Sequence, residues 1–229
     1  MKTTSFILLT GLALVSAASA GTPATATPPP ASVGLWEWFA GGSIGYITDI
    51  NEAMYGLQVG VEYKAPGTRA TQAIYLEVGF THDGANYMYS PPPGVTGGRT
   101  ENAAIDLDII PLTLNYKFEA PITERLHYYL GLGLGIVFLD SSYDWSWSQA
   151  VTPPNNQGVG GDDRTEVRFY GDVFAGLSYT LSDSLRVFAG VRYIFMDDVN
   201  RHIDVTQVAD YTAGINNDVL FELGMRYSF

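Results

Sequence analysis

The alternation at the carboxyl terminus constrains the fold more than any other feature of the chain. Small or charged residues separate the apolar ones along 221–229, and the apolar positions are Phe221, Leu223, Met225, Tyr227 and Phe229. A period of two places all five on one face of a β-strand. In an exported protein, such a face running to the last residue is typical of a strand that contacts lipid in a transmembrane β-barrel.

The amino terminus carries the pattern of a secretory signal peptide. Lys2 precedes an apolar stretch at 6–15, which ends in small residues at 18–20 (ASA). The stretch is too short to span a bilayer, so we expect residues 1–20 to be removed by cleavage after Ala20. Residues 21–34 are rich in Pro, Ala and Thr and predict a periplasmic leader, which leaves 35–229 for the barrel. The chain has no cysteine and therefore no disulfide.

Eight alternating segments predict the strands of this barrel. They lie at 36–48, 54–64, 73–81, 104–118, 126–139, 167–181 and 185–195 and in the terminal segment. Each is about the length that a tilted membrane strand needs. Short connections at 65–72, 119–125 and 182–184 alternate with long ones at 83–103, 140–166 and 197–217, whereas 49–53 is short. Periplasmic turns and longer external loops alternate in this way in outer-membrane barrels.

The fourth segment changes phase. Its first apolar residues, Ile105, Leu107 and Ile109, have odd numbers, whereas those after Pro111 have even numbers. Proline cannot donate a ladder hydrogen bond, so we expect a β-bulge near Pro111 that returns both sets to the lipid face. The bulge would turn Asp106 and Asp108 into the lumen.

The placement of aromatic residues separates this barrel from a soluble β-sandwich or jelly roll, which also alternates. Aromatic residues of the apolar face cluster at the two ends of the segments. Those near the turns include Trp36, Trp38, Tyr63, Phe118, Tyr128, Tyr179, Tyr227 and Phe229, and those near the loops include Tyr46, Tyr55, Phe80, Phe138, Phe169, Tyr193 and Phe195. Two such girdles match the two headgroup levels of a bilayer.

The opposite face predicts a filled lumen with an ion-pair network. Its seven acidic and six basic residues are nearly balanced, whereas selective pores tend to carry one sign. Eight strands leave room only for side chains, and buried charges must be paired. The predicted network comprises Glu37, Glu62, Lys64, Glu77, Asp106, Asp108, Lys117, Arg168, Asp172, Arg186, Arg192, Glu222 and Arg226. Inward Tyr75, Tyr129, Tyr170, Phe174 and Phe188 would fill the space beside the glycines of the fifth segment.

Four stretches resemble the OmpA-like or opacity-type family of eight-stranded outer-membrane barrels. They are 110–118 (IPLTLNYKF), 129–135 (YLGLGLG), 190–193 (GVRY) and 225–229 (MRYSF). The resemblance implies insertion by the β-barrel assembly machinery, with the strand ending at Phe229 as its recognition signal. It also implies roles in membrane integrity, adhesion or host contact through the external loops, and no common catalytic residues. We expect no peptidoglycan-binding domain, since the sequence stops at Phe229.

Motifs for catalysis or metal binding are lacking. His82, His127 and His202 have no metal-ligand spacing, and no phosphate-binding, dinucleotide or zinc-protease motif occurs. We therefore expect no enzyme activity, no cofactor and no metal. A lipid-modifying enzyme remains an alternative whose only hint is His82 beside Asp83. A net charge of −12 argues against nucleic acid as a partner.

The predicted external loops hold most of the negative charge. This favours plain solvation of the loops, with divalent-cation bridging to lipopolysaccharide or attraction of a basic partner as alternatives. In the third loop, Tyr143, Trp145 and Trp147 alternate, which favours an extension of the fifth strand over an anchor for a partner or the outer leaflet.

The functional hypothesis is an integral outer-membrane protein of a Gram-negative-type bacterium. It would contact lipid and lipopolysaccharide and display acidic loops for surface contact or adhesion to a host or surface ligand. A narrow channel is the other alternative to this structural role.

Overall fold

A computed structural model describes residues 36–64, 68–91, 98–149, 156–196, 201–202, 212–213 and 217–229. The predicted signal peptide and periplasmic leader lie outside this range. Within it, no helix is both long and apolar enough to cross a membrane.

The described residues form eight long strands. They are β1 (Trp36–Ile47), β2 (Glu52–Lys64), β3 (Thr71–Tyr89), β4 (Arg99–Pro121), β5 (Leu126–Gln149), β6 (Asn156–Thr180), β7 (Leu185–Met196) and β10 (Asn217–Ser228). Two further strands of two residues each, β8 (Arg201–His202) and β9 (Thr212–Ala213), pair only with each other.

The eight long strands close into an antiparallel up-and-down barrel. Each pairs with its neighbours along the chain, and β1 closes the ring against β10. Following paired residues once round the ring from Glu37 ends at Ile47, ten residues further along β1. A stagger of this kind means that the strands are tilted relative to the barrel axis, which closing a sheet into a ring requires. The predicted all-β, eight-stranded fold with a filled lumen is confirmed.

Alternation sorts the side chains onto two faces. The outer face exposes large apolar residues all round the ring, such as Trp38, Leu57, Leu114, Leu134 and Leu223. All five residues of the terminal apolar pattern, from Phe221 to Phe229, are exposed there as well. The inner face holds the buried residues, both apolar and charged.

The predicted bulge near Pro111 does not exist. Val78 pairs with Leu112 and Thr81 with Ile109, so the register between β3 and β4 is the same on both sides of the proline. Ile105, Leu107 and Ile109 therefore point inward with Pro111 and are buried. The prediction was wrong because it assumed that an apolar side chain in a barrel must face lipid. At this end of the barrel, apolar side chains also line the lumen.

Four strands continue well beyond the others at one end of the barrel. At this level β1 ends at Ile47 and β7 ends at Met196, while β2 begins at Glu52 and β10 begins at Asn217. Strands β3 to β6 continue past this level as a four-stranded sheet. We call this part, residues 81–89, 99–109, 139–149 and 156–167, the wall. On β5 it rises about 33 Å along the strand from Leu139.

The wall shows that 83–89, 99–103, 140–149 and 156–166 are strands, whereas the prediction placed 83–103 and 140–166 in loops. The predicted strands end at 81 and 139 and resume at 104 and 167, but β5 and β6 pair without interruption from Leu126 to Gln149. The expectation that Tyr143, Trp145 and Trp147 extend the fifth strand is confirmed.

Candidate functional site

The structure brings eight of the thirteen predicted lumen residues into two groups of ion pairs. These are Glu62, Glu77, Lys117, Asp172, Arg186, Arg192, Glu222 and Arg226. Glu37 and Lys64 lie at the exposed rim near the turns. Arg168 pairs with Glu166, 2.8 Å away on its own strand, near the opposite end of the lumen.

Arg192 is the centre of the first group, which we call the Arg192 network. Its guanidinium donates to Asp172 at 3.1 Å, Glu77 at 3.1 Å and Glu222 at 3.3 Å, which come from three different strands. Only 3% of the Arg192 side chain is exposed. One planar cation with five donors is suited to such a convergence, because its fork can contact several carboxylates at once.

A second group of charges lies nearer the turns. Arg186 donates to Glu62 at 2.8 Å and lies 3.5 Å from Glu119, and Lys117 donates to Glu119 at 2.6 Å. Arg226 reaches Glu62 at 3.5 Å. Two carboxylates are thus shared among three cations, so no charge in this group is buried without an opposite charge beside it.

Aromatic rings fill the space between these charges. Phe39, Tyr75, Tyr129 and Phe174 are buried together, with Phe188 packed against them. The Arg226 guanidinium lies 3.7 Å from the centre of the Phe39 ring, which adds a cation–π contact. The inward glycines of β5 make room, because a Cβ on Gly131 would collide with the Phe174 ring.

Apolar side chains seal the lumen beneath the wall. We call this cluster the plug, and its members are Ile47, Met54, Leu107, Ile109, Val137, Leu139, Tyr170, Ile194, Met196 and Leu220. The cavity between Arg192, Arg226 and the lumen aromatics measures only about 10 Å³. That is about the space for one water molecule, so side chains fill the lumen at this level.

Asp106 and Asp108 are not in the lumen, which corrects their predicted place. Without a bulge, their even positions put them on the outer face of the wall, beside His82. The His82 Nδ1 lies 2.7 Å from Asp108 and its Nε2 lies 3.8 Å from Asp106. The hydrogen bond to Asp108 raises the pKa of His82 above its usual value.

Sequence reasoning missed three buried residues of the barrel. Glu119 was assigned to a turn, although continuing the alternation from Lys117 places it inward. Phe39 was not assigned to the lumen. Asp218 is 2% exposed and accepts from the Thr48 hydroxyl at 2.8 Å. It also accepts from the Asp49 N–H, which fixes the first loop to β10; no motif marks it.

The two faces of the wall differ in chemistry. The inner face carries Tyr87, Tyr143, Trp145 and Trp147, and the Arg99 guanidinium lies 4.2 Å from the centre of the Trp147 ring. The outer face carries mostly polar residues, with Met88 and Val159 as exposed apolar exceptions. Within the part of the chain that the structure describes, no group of three or more His, Cys, Asp or Glu residues could hold a metal ion.

The barrel is similar to solved outer-membrane proteins. A major outer membrane protein from Thermus thermophilus shares 15% identity at a TM-score of 0.50, over 85% of this chain and 99% of that chain. Neisserial surface protein A shares 12% identity at a TM-score of 0.46, over 85% and 97% of the two chains.

The attachment invasion locus protein Ail of Yersinia pestis, solved with the heparin analogue sucrose octasulfate, shares 12% identity at a TM-score of 0.40, over 85% and 97%. At these identities the likeness concerns the fold alone. No protein-family model matches the chain, and no curated protein matches it.

Proposed function

We propose that this protein is an integral outer-membrane barrel with a structural and surface-contact role. The observation that carries the proposal is the outer face of the ring, where apolar side chains are exposed on every strand. Soluble proteins rarely expose apolar patches larger than a few hundred Å², whereas a lipid bilayer covers such a belt. The partners at this face are then outer-membrane lipid and lipopolysaccharide.

The sealed lumen supports a structural role over a channel. The plug closes one end and the Arg192 network fills the middle, with no row of charges of one sign along a path through the described residues. A lipid-modifying enzyme has weaker support, because His82 contacts Asp108 rather than the neighbouring Asp83.

The wall supports the surface-contact role. It is a rigid continuation of four barrel strands, with its hydrogen-bond ladder intact to Gln149 on β5. A sheet of this kind holds side chains in fixed positions well beyond the lipid, which mobile loops do not do. Insertion by the assembly machinery would use the exposed pattern from Phe221 to Phe229.

Site-specific labelling tests this placement, because the chain has no cysteine of its own. A Ser146→Cys variant on the wall should react with a membrane-impermeant maleimide on intact cells, and a Ser184→Cys variant in the opposite turn should react only after lysis. The reverse pattern, or recovery of the protein in a detergent-free soluble fraction, would refute the proposal.

Two further measurements test the role itself. The purified protein in a planar bilayer should show no steady conductance, and a stable open channel would refute the sealed barrel.

Replacing residues 142–163 by a short Gly-containing turn, at the paired positions Ser142 and Asp163, should leave a folded barrel. Cells carrying that variant should lose adhesion to surfaces that the intact protein supports.

A further inference from the structure

The outer face of the wall, as far as the structure describes it, is acidic and lacks basic side chains apart from His82. Alternate positions on three of its strands, β4 to β6, carry five aspartates, which are Asp106, Asp108, Asp140, Asp144 and Asp163. The arginines of the wall, Arg99 and Arg164, stand on the opposite parity and pair with Glu101 and Asp162. The inner face therefore carries paired charges of both signs, whereas the charged groups on the outer face are these aspartates and His82.

Some of these aspartates directly oppose each other. Asp108 is the cross-strand partner of Asp140, and like charges in that position destabilise a sheet. His82 bonds to Asp108, and Thr165 donates to Asp140 at 3.3 Å. Thr165 is neutral, and even a protonated His82 is one charge against five aspartates, so the face retains a net negative charge that a cation from outside would neutralise.

A groove of about 410 Å³ crosses the wall, and one of these aspartates, Asp144, lines it. The other outer-face side chains of its lining include Asn86, Met88, Asn102, Ser146 and Val159. Met88 is 74% exposed and Val159 is 81% exposed. Amide, carboxylate and hydroxyl groups therefore lie between two apolar side chains that nothing in the described chain covers.

These features select one class of occupant. A second copy of this chain, with a net charge of −12, would bring like charges together. Phosphate-bearing lipid headgroups would also be repelled. A small metal cation would neutralise the aspartates but would leave Met88 and Val159 without a partner and the groove mostly empty.

We propose that the outer face of the wall binds a cationic polypeptide segment that also carries apolar residues. Its basic side chains lie against the aspartates, and its apolar side chains fill the groove at Met88 and Val159. This inference rests on the proposed placement of the wall outside the membrane, and it names the partner of that surface.

Vesicles of neutral phosphatidylcholine containing the full-length protein provide the test. The probe is a fluorescent ten-residue peptide of alternating Lys and Leu, compared with an all-Lys peptide and with a Glu/Leu peptide of the same length. Fluorescence anisotropy should show the Lys/Leu peptide binding most tightly, the all-Lys peptide more weakly and the Glu/Leu peptide not at all. Binding of the first should weaken as salt is added.

Variants separate the contribution of the aspartates to peptide binding from that of the apolar side chains in the groove. The triple variant Asp106→Asn, Asp108→Asn, Asp144→Asn should weaken Lys/Leu binding about tenfold, since each exposed pair contributes a few-fold. The double variant Met88→Ser, Val159→Ser should remove the preference for Lys/Leu over all-Lys. Asp183→Asn, which makes the same kind of charge change at the opposite end of the barrel, should have no effect.

Three results would overturn the inference. They are equal binding of the Lys/Leu and Glu/Leu peptides, unchanged binding by the triple aspartate variant, and saturable Mg²⁺ binding with no peptide binding. Labelling of a Ser148→Cys variant from outside the same vesicles, at a wall position that does not line the groove, distinguishes failure of this inference from failure of the proposed placement. A labelled wall that binds no peptide refutes this inference alone, whereas a wall that the label never reaches refutes its placement as well.

Discussion

Both the lumen and the outer face of the wall carry carboxylate side chains, but the lumen buries them and the outer face exposes them to water. In the lumen, each networked carboxylate lies within 3.5 Å of a cation, and Arg192 alone contacts three of them. On the described part of the wall's outer face there are five aspartates, and the only histidine, His82, contacts just two of them, Asp106 and Asp108. Burial makes an unpaired charge too costly to keep, whereas water tolerates it, so unpaired charge persists only where it is exposed.

Removing the central cation should have the largest effect. An Arg192→Met variant leaves Glu77, Asp172 and Glu222 buried without their shared partner, and we expect a loss of about 3–5 kcal/mol in the free energy of unfolding. Urea titration of the protein in lipid vesicles measures it. Neutralising the three carboxylates in the same variant, to Gln, Asn and Gln, should restore much of the loss. Unchanged stability of Arg192→Met would show that the network is not structural.

Filling the lumen beyond its capacity should have the next largest effect. In a Gly131→Ala variant the new Cβ would meet the Phe174 ring and lie 2.5 Å from the Tyr116 carbonyl oxygen, so we expect about 1–3 kcal/mol of destabilisation from overpacking. Gly42→Ala is the matched control, because its Cβ would come no closer than 3.4 Å to the Gly56 oxygen. Equal unfolding midpoints for the two variants would contradict a tightly filled lumen.

An exposed ion pair of the wall should contribute little. Arg164 lies 3.1 Å from Asp162, and both side chains are more than half exposed. We expect Arg164→Met to change the free energy of unfolding by less than about 0.5 kcal/mol, because water and salt screen such pairs. A loss comparable to that of Arg192→Met would erase the contrast between the two regions.

The smallest effect should be the titration of His82. Its folded pKa is raised, mainly by the hydrogen bond to Asp108 and further by the charges of Asp106 and Glu52, against some desolvation. The contact therefore stabilises the wall fully below the ordinary histidine pKa, and this contribution is lost as the pH rises through the higher folded value. Asp108→Asn should lower the pKa of His82 in an NMR titration, and an unchanged pKa would refute the assignment.

Prediction from the sequence succeeded where one face was plainly apolar and the other plainly polar. β2, β7 and β10 are examples, since Glu62, Arg192 and Arg226 alternate with apolar residues and fall in the lumen as expected. It failed along β4, where both faces carry apolar residues near Ile109. Alternation there could not say which side meets lipid, and Asp106 and Asp108 were placed on the wrong face as a result.

The sequence by itself determined the strand count, the antiparallel order and most inward positions, because a period of two is a local property of the chain. The three-dimensional structure decided which charges meet, such as Arg192 with carboxylates from three strands, and where the lumen turns from ionic to apolar. It also decided that four strands rise above the rest. Those features depend on register and stagger between strands distant in sequence, which no local pattern encodes.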